Sequence, residues 1–573
     1  AGISVFSAGY FRLGEGTPPG LMCLQYHVFL ASMALVVIAD DAYAFMVSWE
    51  AMALSSFFLV ATNHRIAEIR RAAYLYLLIA HIGALAILLC FGVLQANTGD
   101  YTFANMRAQH LDAIWGWIGF SLALVGFGTK AGLVPLHVWL PEAHPAAPSP
   151  VSALMSGVML KMAVYGFLRV SLDLLQVPMP GWGLLALGVG LFTALYGAIF
   201  SSVQTDMKRL LAYSSIENIG LVFVGIGVAL LFRGYAMSSL AALALTAALY
   251  HCLNHAFFKS LLFLGTGAVL HATGERNLGH LGGLMRPMPW VGALSLVGVL
   301  AAAGLPPLNG FVSEWLLLQS FLSTVGLPDS FFNMLVPVLT AGVALTAALA
   351  GYAMVKFFGV VFLGQPREAA LADAHDAGVW ERLGLGWLAC GCVALGLGPV
   401  VVVGLIDPIT RLLVGAALGP AAHGWLLLAP ISPQRASYNP VVFFGGVALS
   451  ILFAFALVRW LYHGRLRRAA PWTCGTPEWT PRMQDSAEGF GQPIRHIFGP
   501  FFRMRRELPD PFDAKPAYRV QVDDPFWHAM YLPVAHAVEA VSRQIGRLQR
   551  GRISIYLLYS FATLLLMLWL VHT

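Results

Sequence analysis

The feature that most constrains this chain is a series of thirteen apolar stretches, each of about 20 residues or more. A helix of about 20 residues crosses the hydrocarbon core of a bilayer, which is roughly 30 Å thick. Hydrophobic residues fill 58% of the 573 positions and charged residues 11%, a balance that no soluble domain of this length needs. The sequence therefore predicts an all-α, polytopic membrane helix bundle. Its predicted spans are residues 21–40, 42–62, 72–96, 113–140, 150–173, 183–203, 209–231, 237–271, 289–322, 332–363, 383–406, 440–462 and 553–571.

Lysine and arginine are concentrated in the loops that follow the even-numbered spans. Such loops are cytoplasmic in most membrane proteins. We therefore expect these loops, and the polar segment 463–552, on the cytoplasmic side of the cell's inner membrane, and the carboxy terminus on the other side. The first residue is Ala1 rather than Met, and residues 1–20 are expected to form a loop.

Four of the long spans are expected to be interrupted, near residue 130, within residues 251–259, near residue 310 and near residue 351. Unpaired carbonyls at bilayer depth are tolerated where protein or water covers them, so broken helices indicate a lined cavity. The two proline-broken spans lie five spans apart. This spacing predicts two inverted five-helix repeats, residues 21–173 and 183–363, followed by two further spans within 383–462 and a last span at 553–571.

The ionisable residues inside the predicted spans that most need an explanation are Glu50, Lys130, Lys161, Glu217, Lys259 and Glu314. A charge near the middle of a span costs at least about 2.5 kcal/mol on insertion scales, so each requires an explanation. A row of such groups favours an ion-translocation path over structural ion pairs. For Glu217, which lies near the end of its span, both interpretations stay open.

His251, His255 and Lys259 follow one another at i, i+4 and i+8, which stacks them on one helix face. Neutral imidazole both accepts and donates a proton, so this column predicts a proton relay. Histidines four residues apart can also bind zinc, but the HExxH glutamate is absent and Lys259 is a poor ligand neighbour.

Four further polar residues in or near the spans are secondary candidates or structural residues. His81 and His137 are single histidines on apolar helices, and a structural role is favoured for His81. Lys356 and Arg169 lie near span ends and are expected to extend toward the membrane surface.

Several functions are excluded by the sequence. There is no phosphate-binding loop, dinucleotide fingerprint or nucleophile elbow, and the six cysteines are scattered without metal-ligand spacing. The basic residues do not cluster with aromatic residues on a soluble module, so nucleic acid is not an expected partner. We expect no catalytic site, cofactor or metal on this chain, so the energy for transport comes from a partner or an ion gradient.

The segment 463–552 contains one amphipathic pattern, which Asp524 and Pro525 open as N-cap and first-turn proline. It predicts a helix over residues 525–550 that lies along the membrane surface or a neighbouring subunit. A surface helix that only connects two spans is an equal alternative. The apolar face is Trp527, Met530, Val534, Val538, Val541, Ile545 and Leu548, and the polar face carries Arg543, Arg547 and Arg550.

Five sequence runs resemble the antiporter-like subunits of respiratory complex I, Mrp-type cation antiporters and membrane-bound hydrogenases, and the resemblance covers residues 21–363. The runs are SWEAMALSSFFLV, TKAGLVPLHVWLPEAHPAAPSPVSALMSGVMLKMAVYGFLR, DMKRLLAYSSIENIGLVF, LNHAFFKSLLFLGTGAVLH and GLPPLNGFVSEW. The resemblance implies two inverted repeats and a hydrophilic axis along the bilayer midplane. It also implies roles for residues on that axis: Glu50 pairs with Lys130, Lys161 follows on the next helix, His251, His255 and Lys259 bridge the halves, and Glu314 lies on the second broken helix.

The run WTCGTPEWTPRMQDSAEGFGQPIRHIFGPFF resembles the large membrane subunits of formate hydrogenlyase and hydrogenase 4 type complexes. The resemblance implies a proton-translocating subunit of a redox-driven complex, with nickel–iron and iron–sulfur centres on partner subunits. The expected partners are other membrane subunits, a peripheral redox arm and lipid, and the ion is H⁺, with Na⁺ as an alternative. About three helices that precede residue 21 in such proteins are expected to be missing here or supplied by another chain.

Two other functions stay open at this point. One is a gradient-driven sodium–proton antiporter subunit or an ion-coupled inorganic carbon uptake module, because the same core would serve either. The other is a scaffold that anchors a redox arm without transport, which is disfavoured because a scaffold does not need so many buried charges.

Overall fold

A computed structural model describes residues 1–11, 17–176, 178–324, 327–418, 427–430, 437–464, 472, 475, 480–481, 483–514, 518–547 and 551–572. These residues form two compact units, Ala1–Ile497 and Phe498–Thr573.

The first unit is a helix bundle. In chain order its α-helices are α1 (Gly2–Tyr10), α2 (Pro19–Ile38), α3 (Ala42–Val60), α4 (Ala67–Leu94), α5 (Phe103–Ala108), α6 (Ala113–Ala131), α7 (Trp139–Ala146), α8 (Ser149–Leu154), α9 (Leu160–Leu168), α10 (Pro180–Val203), α11 (Met207–Gly234), α12 (Ser238–Thr273), α13 (Pro289–Ala302), α14 (Asn309–Leu322), α15 (Ser330–Phe362), α16 (Val379–Leu397), α17 (Pro399–Val414), α18 (Pro440–Leu461) and α19 (Ala487–Ile497). Two π-helical turns, Met155–Met159 and Arg169–Leu174, join α8 and α9 into one helical stretch.

Each of the thirteen predicted spans coincides with a helix or a helix pair. Within the described residues, ten helical stretches are long and apolar enough to cross a membrane, or eleven if the bent pair α16–α17 counts as one span. The remaining predicted spans are the broken ones, α6–α7 and α13–α14. The prediction of an all-α membrane bundle is confirmed.

Two of the four predicted interruptions are present and two are wrong. The chain leaves the helix between α6 and α7 and between α13 and α14, where proline occurs. By contrast, α12 runs unbroken for 36 residues through His251 and Lys259, and α15 runs unbroken for 33 residues through Gly351. Residues 251–259 contain no glycine or proline, and glycine alone, as at Gly351, lowers helix propensity by only about 1 kcal/mol, which packing in a bundle overrides.

A break that the sequence analysis missed lies in the predicted span 383–406. The helix stops at Gly398, restarts at Pro399 and bends by 84°. Proline lacks the N–H that would continue the preceding helix, so this dipeptide is a helix boundary inside an apolar run.

The expectation of a loop over residues 1–20 is wrong for Gly2–Tyr10, which form α1. The Phe6 ring is fully buried, and Gly384 of α16 faces it closely enough that an added Cβ would lie 2.7 Å from the Phe6 Cβ. A nine-residue helix is marginal alone and is stabilised here by packing, which leaves little signal in the sequence.

The centre of the bundle is α11, whose span is buried throughout. Glycines at seven-residue spacing on α10 (Gly183, Gly190 and Gly197) allow close approach of the two backbones. A Cβ added at Gly197 would lie 2.4 Å from the Glu217 backbone nitrogen. This contact holds Glu217 in the interior.

The second unit contains an antiparallel hairpin of β1 (Arg503–Glu507) and β2 (Arg519–Asp523), a π-helical turn (Trp527–Tyr531), α20 (Leu532–Gly546) and α21 (Ile553–His572). The hairpin was not predicted. Asp524 Oδ1 accepts a hydrogen bond from the Phe526 backbone at 2.8 Å, as an N-cap does, and α20 follows. The predicted positions Leu548 and Arg550 lie outside the described residues.

Candidate ion-translocation path

The first helix break places Lys130 in the last turn of α6. Gly132 adopts φ +85° and ends the helix, and residues 133–138 run without regular structure to α7. Protein groups satisfy the backbone here, because Val134 N–H donates to Thr193 Oγ1 at 3.1 Å and the Trp139 indole donates to the Thr129 carbonyl at 2.9 Å. Such bonds make irregular backbone tolerable at membrane depth.

The Lys130 ammonium is almost fully buried, at 2% exposure, and Tyr76 is its partner. Lys130 Nζ donates to Tyr76 Oη at 2.6 Å and lies 4.6 Å from the centre of the Tyr76 ring. Tyr76 Oη is also 2.5 Å from Ser56 Oγ. A hydrogen bond to a charged group contributes about 1.5–3 kcal/mol, so Tyr76 holds the ammonium in place.

The expected direct pair between Glu50 and Lys130 is not formed. Glu50 lies on α3 with its side chain 31% exposed, and its Oε2 lies 3.5 Å from His81 Nε2. Glu50 acts on Lys130 only as a charge at longer range. The direct pair fails because Tyr76 occupies the position next to the ammonium.

Lys161 is the second residue of α9, which follows the π-helical turn Met155–Met159. Its Nζ donates to the Ser156 carbonyl at 2.7 Å and makes a short contact with His255 Nδ1 on α12. A π-helical turn shifts the residues after it around the helix axis, and such turns are frequent at functional sites. The turn aims Lys161 at the histidine column.

The three members of the column have different surroundings. His251 Nδ1 lies 3.0 Å from Ser313 Oγ and its Nε2 lies 3.0 Å from Asn218 Oδ1. His255 contacts Lys161, while Lys259 Nζ is fully buried and has no hydrogen-bond partner within the described residues. No group of three His, Cys, Asp or Glu side chains suited to a metal ion occurs in the described ranges.

Two carboxylates complete the row: Glu217, which is 1% exposed, and Glu314, which is half-buried. Glu217 accepts a hydrogen bond from Ser214 at 3.1 Å, and Lys259 is the charged group that attracts it. Glu314, on α14 after the second break, interacts electrostatically with Glu217. Its Oε2 would lie 2.6 Å from a Cβ at Gly304, which has φ +63°.

The secondary candidates His81, His137 and Lys356 have different surroundings. His81 faces Glu50, and the buried His137 ring packs edge-on against Tyr196, with the ring centres 5.1 Å apart. Lys356 is fully buried, and its Nζ donates to the carbonyls of Ser202 and Gln204, at 3.0 and 2.5 Å, at the carboxyl end of α10. The expectation that Lys356 extends to the membrane surface is therefore wrong, because it caps a helix.

Arg169 does not extend freely to the surface either. It donates to Asp173 Oδ2 at 2.8 Å, and Arg107 donates to both oxygens of the same carboxylate at 2.7 and 2.8 Å. This three-residue ion-pair network ties α5 to the end of the α8–α9 stretch.

Sequence reasoning missed several polar residues beside the path: Tyr76, Asn218, Ser313, His144 and Lys208. Tyr76, Asn218 and Ser313 contact predicted path residues, and His144 and Lys208 are buried near helix ends. An amide or hydroxyl inside an apolar helix is a signal that could have found some of them. Uncharged polar residues cost much less in a membrane than charges do, so they draw less attention.

Comparison with known proteins identifies a family for the part of the chain that carries the path. The family described as NADH:quinone oxidoreductase/Mrp antiporter, transmembrane, matches residues 39–340, which is more than half of the chain and includes every residue of the path. The chain belongs to this family. The resemblance inferred from the five sequence runs is thereby confirmed.

Relatives of this antiporter-like subunit include two proteins of Escherichia coli strain K12. The chain is 35% identical to hydrogenase-4 component B over 99% of its own length and 85% of that protein, and 32% identical to formate hydrogenlyase subunit 3 over 91% and 81%. A solved structure of the membrane-bound sulfane sulfur reductase, an archaeal respiratory membrane complex, matches with a TM-score of 0.75 at 25% identity, covering 99% of this chain and 87% of that one. These relatives are subunits of multi-subunit membrane complexes.

Proposed function

We propose that this chain is the proton-translocating membrane subunit of a redox-driven complex of the hydrogenase 4 or formate hydrogenlyase type. The observation that carries the proposal is the row of ionisable side chains through the interior of the bundle. It runs from Lys130 through Lys161 and His255 to Lys259, with Glu217 and Glu314 beyond. Ionisable side chains of this number inside a membrane bundle, with Lys130 and Glu314 beside helix breaks and Lys161 after a π-helical turn, are expected of a transport path.

The similarity to hydrogenase-4 component B and formate hydrogenlyase subunit 3 over most of their lengths supports the redox-driven assignment. On this proposal, nickel–iron and iron–sulfur centres lie on partner subunits, and a peripheral redox arm supplies the energy. The arginine-rich loops face the cytoplasm. The helices 21–173 and 183–363 act as two inverted repeats around the path.

The row moves protons when the distances between its charges change. At an effective dielectric of about 20, moving a partner charge from about 4 to about 7 Å changes a pair interaction by about 2 kcal/mol. That difference exceeds one pKa unit, enough to bias uptake or release at a lysine. A rearrangement in a neighbouring subunit thus switches Lys130, Lys161, Lys259 and Glu314 in turn.

A gradient-driven sodium–proton antiporter subunit is the second candidate, because the matching family includes Mrp antiporters. Ion uptake by inside-out vesicles that contain the assembled complex separates the two. We expect acidification of the lumen in sodium-free buffer once the electron donor is added, and loss of this uptake in Lys161→Met. Uptake that requires sodium and ignores the electron donor would contradict the proposal.

A further inference from the structure

A polar cleft of about 310 Å³ opens on the bundle, and its lining contains none of the lysines of the row. It lies between the start of α4, the end of α7, the turn from α10 to α11 and the loop after α12. All of these segments follow even-numbered spans and therefore share the predicted cytoplasmic side. Its lining includes Glu68, Glu142, Asp206, Arg209 and Arg276.

Two ion pairs cross this cleft and fix its walls. Arg209 of α11 contacts the Glu142 carboxylate of α7, with side chains 38% and 44% exposed. Arg276 Nε lies 2.8 Å from Asp206 Oδ2, and Asp206 accepts from the Lys208 and Arg209 backbones as the N-cap of α11. The pairs leave the cleft polar and open to water.

Directly behind the cleft wall lies His144, whose chain neighbours Pro145 and Ala146 line the cleft. The imidazole is fully buried, and neither ring nitrogen has a hydrogen-bond partner within the described residues. An imidazole buried without partners is costly in a folded protein and indicates bound water or a function.

The inner side of His144 faces the proposed path. Its ring stacks on Phe263 of α12, with centres 4.8 Å apart. Phe263 follows Lys259 by four residues on an unbroken helix, so the two lie on the same face one turn apart. Lys208 and Lys259 are the charged groups that act on the imidazole, and Lys208 Nζ donates to the Ala147 carbonyl at 2.8 Å.

We propose that the cleft is the aqueous access route to the path from the predicted cytoplasmic side, and that His144 relays protons between the cleft and Lys259. The inference rests on the proposed function, which it deepens by assigning the inlet. The cleft supplies water, His144 bridges the wall, and Lys259 receives the proton on its uncharged amine.

The relay conserves protons and charge. One ring nitrogen of His144 takes a proton from water in the cleft while the other releases one toward Lys259, which leaves the ring in its other neutral tautomer. Rotation of the ring then restores the first tautomer. The absence of fixed hydrogen bonds at both nitrogens leaves the ring free to alternate.

Replacing His144 tests the relay. In inside-out vesicles with the assembled complex, we expect His144→Gln to lower donor-driven proton uptake about a hundredfold, because glutamine cannot take up and release a proton. His280→Gln is the matched control, since His280 is an exposed histidine on the same predicted side. Normal uptake by an assembled His144→Gln complex would overturn the inference. If Lys161→Met loses uptake and His144→Gln does not, the proposed function stands and the relay through His144 is wrong. If both variants keep normal uptake, the proposed function and the relay are both wrong.

Labelling tests the cleft without changing His144. Ala146→Cys places a thiol in the cleft wall, and Glu368→Cys places one on the same predicted side outside it, next to His280. A membrane-impermeant maleimide on the predicted cytoplasmic side should lower uptake by the first variant about tenfold relative to its unlabelled form, and should not affect the second. The chain without added cysteines gives the background. An unreactive thiol at 146, or full labelling with unchanged uptake, would overturn the access route even where His144→Gln fails to assemble.

Discussion

Each of the two proline-broken helices has a charged side chain beside its break, and the two charges have opposite sign. At the first break, Lys130 occupies the last turn of α6, where the helix dipole favours a cation, and Tyr76 holds its ammonium at 2.6 Å. At the second, Glu314 lies in the second turn of α14, beyond the strongest effect of the dipole, and faces the loop at Gly304. The first charge is fixed by a partner, and the second is fixed mainly by the space around it.

This difference suggests how the two ends of the path respond to a conformational change. A lysine bound to a rigid tyrosine keeps its position, so its proton affinity changes when distant charges such as Glu50 move. A carboxylate beside a glycine loop changes its surroundings when the loop moves.

Lys130→Arg should reduce proton uptake about a hundredfold although the charge is retained, because arginine does not lose its proton at working pH. Lys130→Met is the companion variant, and it should also stop uptake while the complex assembles, since removal of a buried charge is often tolerated. Uptake in inside-out vesicles and co-purification of partner subunits are the measurements. Normal pumping by an assembled Lys130→Arg complex would show that Lys130 is structural.

Glu314→Gln should lower uptake about tenfold or more, because the amide cannot carry the proton. Glu314→Asp should keep a larger share of activity than Lys130→Arg does, because aspartate still titrates and the site is shaped by space rather than by one partner. The ratio of proton uptake by Glu314→Asp to proton uptake by Lys130→Arg, measured in the same vesicles, expresses the comparison directly. Equal losses would mean that both breaks are fixed in the same way.

Tyr76→Phe should lower uptake about tenfold while leaving assembly intact, since the hydrogen bond to the ammonium contributes about 1.5–3 kcal/mol. The ring that packs against Trp139 is preserved, with ring centres 5.0 Å apart in the native chain. Tyr196→Phe, which removes the hydroxyl of a tyrosine whose ring packs on His137, serves as the control. Unchanged uptake in Tyr76→Phe would show that the tyrosine does not position Lys130.

Alanine at the two turn glycines should give the smallest effects and should separate stability from transport. Gly132 and Gly304 have φ of +85° and +63°, where a side chain costs about 1–2 kcal/mol. Gly132→Ala would crowd Leu140 and should lower the thermal stability of the complex with little change in uptake per complex. Gly304→Ala would crowd the Glu314 carboxylate and should also reduce uptake severalfold. A Gly304→Ala complex with unchanged uptake would contradict the role given to the loop.

Most of the fold could be predicted because a helix that crosses a bilayer needs a long apolar stretch, which is visible in the sequence. Every predicted span coincides with a helix or helix pair. The errors share a cause. Interruptions were predicted at Gly351 and around His251, but both lie in unbroken helices, since tertiary packing outweighs helix propensity. Gly2–Tyr10 and the hairpin Arg503–Glu507 with Arg519–Asp523 were missed because such short elements depend on neighbours.

The candidate site divides in the same way. The residues that carry charge inside the spans follow from the amino-acid sequence alone, because any lysine or glutamate in a long apolar run is visible without coordinates. The partners of these residues follow only from the way the helices pack. Lys130 contacts Tyr76 rather than Glu50, Lys356 caps a helix instead of reaching the surface, and the uncharged His144 lies between a cleft and Lys259. The cost of burying a charge depends on one residue and its local sequence. A hydrogen bond between two helices depends on how those helices pack, which no local stretch of sequence shows.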